Sequence, residues 1–179
     1  MADVKAGTVI FIRNRLRTLG GDAERSFLAK LPPEAVASYK GALPVSWIPI
    51  AQAAILYTAA AATLYPGDRE GLRKLGMEVA RANFSSLYRV LLRVLTVPYM
   101  LEQAAKLWRT LHTDGTIETE VLGPKRILVQ VSNHPEFVEP VREAAAGQFA
   151  GLIELTGARD VRVARDDLPT VWRWYITWS

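Results

Sequence analysis

The hydrophobic period of this chain changes once, at Asp114-Gly115, and no other feature constrains its fold as strongly. Up to that point apolar residues recur three and four apart, the spacing of one helix face. Beyond it they alternate: Ile117, Thr119 and Val121 against Glu118 and Glu120, then Ile127, Val129 and Val131. A period of two describes strands with one wet face. Gly123-Pro124-Lys125 turns the first strand into the second. A helical pattern returns over 135–156 through Val138, Val141, Ala145, Phe149 and Leu152, and Gly157 ends it. Val161 and Val163 mark a third strand; Trp172, Trp174, Ile176 and Trp178 mark a fourth. The expected fold class is α+β, with a helical layer over 1–113 packed on a four-stranded antiparallel sheet and a ββαββ half over 114–179. The sheet should pair 117–121 with 126–132, and 160–165 with 171–178.

Within the helical half, the spacing predicts helices over 8–19, 22–30, 33–39 and 47–64, although residues 8–12 also suit a short strand. Asp68 is placed to cap the next helix. Its inner stripe is Leu72, Leu75, Gly76, Val79 and Ala80, continued by Phe84, Leu87, Tyr88, Leu91, Leu92 and Leu95. Pro98 opens another, with Leu101, Ala104, Leu107, Trp108 and Leu111 inside. The 47–64 stretch carries no charge, which raises the question of a membrane span. Its alanines, Pro49, Gln52, Thr58 and Thr63 suit a helix buried in a helical layer better, so no transmembrane segment is expected. The first apolar run is broken by Arg13, Arg15 and Arg17, unlike a secretory signal, and a cytoplasmic protein is expected. At 179 residues, 1–179 reads as a single domain.

Composition removes several chemistries. There is no cysteine, which excludes disulfides, zinc-thiolate sites, iron–sulfur clusters and a cysteine nucleophile. No GxxxxGK(S/T) loop, GxGxxG turn or GxSxG elbow is present. His112 and His134 lack the spacing of a helical metal pair and read as surface histidines, with a haem ligand as the sharper alternative. The acid pairs Glu118/Glu120 and Asp166/Asp167 fit an exposed strand and a turn. No metal, cofactor or catalytic residue is expected, and the chain reads as a non-enzyme. Net charge is +4, with 15 Lys/Arg against 8 Asp/Glu over 1–113 and 7 against 10 over 114–179. That basic half suits a solvated helical surface, an anionic ligand, a membrane surface or an acidic partner. Without an arginine-rich or aromatic-interleaved motif, no nucleic-acid partner is expected.

The aromatic residues are more informative. Trp47, Tyr88 and Trp108 fall on apolar helical stripes, and Trp172 and Trp174 line one face of the last strand. Such rings either pack solid or leave an apolar pocket. The candidate ligand-binding residues are Trp47, Tyr88, Leu91 and Trp108, closed from the sheet by Trp172 or Trp174. Tyr88 or Arg89 would serve as a polar anchor, and Arg81 is a second candidate cation.

The segments KAGTVIFIRNRLRTLG, LPPEAV, LPVSWIPI, YPGDREGLRKLGMEVARANFSSLYRVLLRVLTVPYML, KLWRTLHTDGTIETEVLGPKRILVQV and WRWYITW together resemble the 4-vinyl-reductase-type (V4R) domains and a related myxobacterial paralogous family. These share a fold with TRAPP vesicle-tethering subunits and haem nitric-oxide sensors. The resemblance spans nearly the whole chain, and none of its motifs is catalytic. It departs from each relative. Arg165-Asp166-Asp167-Leu168-Pro169 stands where vinyl-reductase-type domains commonly carry cysteines. The proximal histidine and Tyr-x-Ser-x-Arg clasp of the haem sensors are unmatched, and no cysteine exists to hold a lipid as in TRAPP.

The leading functional expectation is therefore a non-catalytic sensory or binding domain that holds a small apolar ligand between helices and sheet. The alternative is a homodimeric interaction scaffold with a filled core; a tetrapyrrole or lipid enzyme comes third. A homodimer is expected in either of the first two, because the 70–95 region and first helix offer more apolar surface than one small sheet covers.

Overall fold

The computed structural model describes residues 2–83 and 97–179. Its elements run β1 (Asp3–Lys5), α1 (Gly7–Thr18), α2 (Gly21–Leu28), α3 (Pro33–Gly41), β2 (Trp47–Pro49), α4 (Ile50–Leu64) and α5 (Gly71–Asn83). They continue as α6 (Val97–Leu111), β3 (Thr116–Gly123), β4 (Arg126–Ser132), α7 (Glu139–Leu155), β5 (Arg162–Arg165) and β6 (Val171–Thr177). The large sheet is antiparallel throughout, in the order β3-β4-β6-β5. Both hairpins pair as the alternation predicts, and β4 joins them through Val129 opposite Trp174 and Val131 opposite Trp172. The α+β class expected from the period change is the one observed.

The sheet's inner face is Ile127, Val129, Val131, Trp172, Trp174 and Ile176, all buried. In α1, Val9, Ile12 and Leu16 are buried, so 8–12 takes the helical alternative. The uncharged helix α4 buries Ile50, Ala53, Leu56, Tyr57 and Ala60 and packs against α1, α2, α3, α5 and α7. That surround explains its all-round apolarity. Among the described residues, no helix is long and apolar enough to cross a membrane.

The helix expected from Trp47 begins three residues later. Trp47 and Ile48 instead extend and pair with Lys5 and Val4, forming a second, two-stranded sheet. Pro49 explains the shift, because the residue preceding a proline is driven out of the helical region.

The tightest joint is between α5 and α7. Gly76 faces the Ala144 carbonyl, and Gly147 faces that of Arg73, with no room for a methyl group at either place. Beside this joint, Arg165 of β5 pairs with Glu139 and Glu143 of α7 and with Asp167, while Arg73 Nε donates to Glu143 at 2.6 Å. The Arg165-to-Pro169 stretch thus begins in an ionic clamp joining sheet to helices. The Arg165 guanidinium holds the Glu139 carboxyl down at about 2. Replacing Arg165 by Met should cost about 2 kcal/mol, the scale of hydrogen bonds to charged groups. Urea midpoints of the two proteins check this.

Candidate functional site

The site begins where α6 ends. His112 follows the last helical turn, and its backbone N–H donates to the Trp108 carbonyl at 2.8 Å. One turn apart, the two rings lie flat on each other, with centroids 3.8 Å apart and planes 3° from parallel. Trp108 Nε1–H donates to the Asp114 carbonyl at 3.0 Å, which fixes the indole. The His112 backbone bridges to Val4, and the Asp3 N–H donates to Thr113 Oγ1 at 2.8 Å. The end of α6 is thereby tied to β1.

His134 arrives from the loop between β4 and α7. Asn133 before it has φ 55°, a left-handed turn that asparagine tolerates well. The loop drives the imidazole inward, where it is 1% exposed. It stacks on Phe137 at 4.7 Å and presents its edge to Trp108 at 6.2 Å and Trp172 at 6.5 Å. The two imidazoles stand 5.8 Å apart at 78°. Gly115 makes this possible: its φ is 84°, and an added Cβ would fall 3.0 Å from His134 Cδ2.

Both imidazoles are held neutral. His134 Nδ1 and Nε2 and His112 Nδ1 are buried without a hydrogen-bond partner among the described residues. Burial, with some repulsion from His134, pushes the His112 imidazole down to about 3. Burial also lowers His134, against the opposing pull of Asp114 and Glu136. The reading of both as surface histidines is therefore corrected. A helix end and a loop look exposed in sequence, but β1 covers one here and the aromatic cluster encloses the other.

Of the candidate ligand-binding residues, Trp108, Trp172 and Trp174 converge, each against Phe137 at centroid distances of 5.7, 5.5 and 6.0 Å. Phe137 occupies the space between them, so these rings pack as a cluster. Trp47 lies apart, 39% exposed on β2 with Lys5 Nζ 3.9 Å over its ring. Tyr88, Arg89 and Leu91 fall within 84–96, outside the described residues. Arg81 is exposed and paired with Glu154 at 2.5 Å.

A cavity of about 90 Å³ opens on the other side of His112, among α1, α4, α5, α6 and α7. Its polar wall includes Thr8, Tyr57, Asn83, His112 and Gln148; Val79, Val141 and Leu152 are part of the apolar one. Gln148 Nε2–H donates to Thr8 Oγ1 at 3.3 Å, and burial pushes the Tyr57 phenol up to about 12. The cavity thus lies between these helices and β1 rather than against the four-stranded sheet. Sequence reasoning missed Phe137 and placed His134 on the surface; His112, one turn after Trp108, was the available signal.

A family model described as "Protein of unknown function (DUF2378)" matches residues 16–179. The chain belongs to that family. No curated protein matches it by sequence. Among solved structures, this DUF2378 member is similar to the S. oneidensis H-NOX protein in its Fe(II)NO state, at TM-score 0.67 and 11% identity over 97% of this chain and 98% of that one. A K. algicida H-NOX mutant, Fe(II) and unliganded, gives 0.65 and 12% over 97% and 96%. A T. tengcongensis H-NOX mutant gives 0.62 and 12% over 98% and 97%. The DUF2378 chain therefore has an H-NOX-like fold, which supports the sequence resemblance to haem nitric-oxide sensors at the level of fold.

Haem is the group this fold implies, and the described residues do not fit it. Sites for drug-sized molecules span about 300–1,000 Å³, and the cavity here is about 90 Å³. Phe137 and three tryptophans fill the space on the sheet side.

Proposed function

We propose that this DUF2378 chain is a non-catalytic, haem-independent sensory domain, acting as one unit in the cytoplasm, that takes a small, largely apolar molecule into the cavity beside His112. The observation that carries this reading is the buried Nδ1 of His112, without a hydrogen-bond partner among the described residues, in a side chain that lines that cavity. A buried polar atom without a partner is costly, and such groups mark places where a ligand or water completes the structure. Water's share of liquid volume is about 30 Å³, so 90 Å³ suits about three waters or a ligand of similar bulk.

The fold supports a sensory reading by analogy. Similar solved structures include an oxygen-binding H-NOX domain in its oxygen complex and an H-NOX protein in its Fe(II)NO state. Kinship with the V4R and TRAPP domains belongs to the same proposal. A homodimeric scaffold is the second reading, favoured by the ring cluster being filled around Phe137.

Native mass spectrometry of the full chain is expected to show a retained small molecule that leaves on collisional activation. Incubation with hemin is expected to give no stoichiometric Soret band. A bare polypeptide mass in every preparation would overturn the ligand reading, and one hemin per chain would overturn haem independence. Light scattering then decides whether the bare chain is the dimer that the second reading requires.

A further inference from the structure

We propose that the turn between α3 and β2 is a contact site for an anionic membrane surface, independent of the cavity. Leu43, Pro44, Val45 and Trp47 present their side chains outward there, with Leu43 60% and Val45 76% exposed. Large aliphatic residues are seldom left so open on consecutive positions of a turn without a partner.

The turn is fixed from within. Ser46 N–H donates to the Leu43 carbonyl at 2.9 Å, and Leu43 N–H donates back to Ser46 Oγ at 3.1 Å. Ala6 N–H donates to the Ser46 carbonyl at 3.1 Å, and Lys5 Nζ donates to the Val45 carbonyl at 3.0 Å. An apolar tip that is already ordered loses little conformational freedom when it inserts.

Charge decides the occupant. Lys5 sits over the Trp47 ring, Lys40 is exposed at the end of α3, and Arg13 Nη1 donates to the Tyr39 carbonyl at 3.3 Å. Among the described residues none of these three cations is in an ion pair. No acidic residue occurs between Glu34 and Asp68, and Asp3 of β1 stands opposite Pro49. Tryptophan and lysine together suit the headgroup level, where an apolar body meets a polar edge. A stable protein partner needs about 800 Å² from each side, more than one turn supplies. A bilayer needs only a few inserted side chains and an attraction between cations and anionic lipid.

The test is co-sedimentation of the full chain with phosphatidylcholine vesicles and with vesicles that also contain phosphatidylglycerol. The chain should pellet with the anionic vesicles, release with added salt, and bind neutral ones far more weakly. The double change Leu43→Asp and Val45→Asp should abolish pelleting while leaving the melt unchanged, since both side chains are exposed. Lys40→Gln should weaken binding about fivefold, the worth of one lysine near an anionic surface. A wild-type chain that stays in the supernatant with both vesicles overturns the proposal. So does light scattering that shows the aspartate variant turning a dimer into a monomer while neither protein binds vesicles, which assigns the turn to a second copy.

Discussion

Gly147→Ala is expected to lower the melting temperature by 10 °C or so, or to leave the chain unfolded at working temperature. The methyl group would sit 1.9 Å from the Arg73 carbonyl oxygen and 2.7 Å from its carbon. Both are backbone atoms of α5, so no side chain can swing aside to relieve the clash. Gly76 makes the reciprocal approach, where an added Cβ would fall 1.9 Å from the Ala144 carbonyl oxygen, so the two helices would have to separate along the whole joint. Overpacking a core commonly costs about 1–3 kcal/mol and more where the backbone must move. In a domain of this size each kcal/mol is worth about 2–4 °C. Gly123→Ala serves as the control, because nothing lies within 4 Å of its added Cβ. Equal melts for the two variants would show that α5 and α7 are not joined as described.

Much of this architecture is legible in sequence because burial repeats along it. The alternation of Ile127, Val129 and Val131, and of Trp172, Trp174 and Ile176, by itself names the inner face of the sheet. The stripe through Leu75, Gly76 and Val79 likewise names the face of α5 turned to α7. What escapes is structure too short to show a period. β1 and β2 are three residues each and lie more than forty positions apart, so neither displays alternation. Gly147 carries no such signal, because close approach of two backbones leaves no pattern in either helix.

The candidate site divides along the same line. Trp108, Trp172 and Trp174 are readable as a converging set, since each lies on the buried side of a periodic element. Phe137 and His134 come from an irregular loop whose direction is set by Asn133 and by the space Gly115 leaves. Histidine is intermediate in its preference for burial, and a single phenylalanine in an irregular loop belongs to no repeat that would say where it points. Among the described rings, Phe137 stands between Trp108, Trp172 and Trp174, and no periodicity announces it.

Those two histidines carry the second large effect, a loss of stability in mild acid. An imidazole in the unfolded chain titrates near 6.5, whereas burial holds His112 down at about 3 and lowers His134 as well. Between those values the unfolded chain binds a proton that the folded one refuses, so acid favours unfolding. Stability from this source is full above about pH 6.5 and falls as the pH drops, until each folded-state value is reached. Well below pH 6.5 the slope approaches about 1.4 kcal/mol per pH unit for His112, and the lowered His134 adds to it in the same direction. A domain stable by about 5–15 kcal/mol feels that loss strongly. Glu139, held down at about 2 by Arg165, adds its own loss only at lower pH, below the usual carboxylate range. His134→Phe should make the slope shallower and raise stability at neutral pH, because a phenyl ring keeps the stack on Phe137 and removes two buried nitrogens that have no partner among the described residues. Urea midpoints taken across that pH range measure the slope directly. If the double variant His112→Phe and His134→Phe loses stability as steeply as the wild type, the acid sensitivity belongs to other groups and the buried neutral pair is not its source.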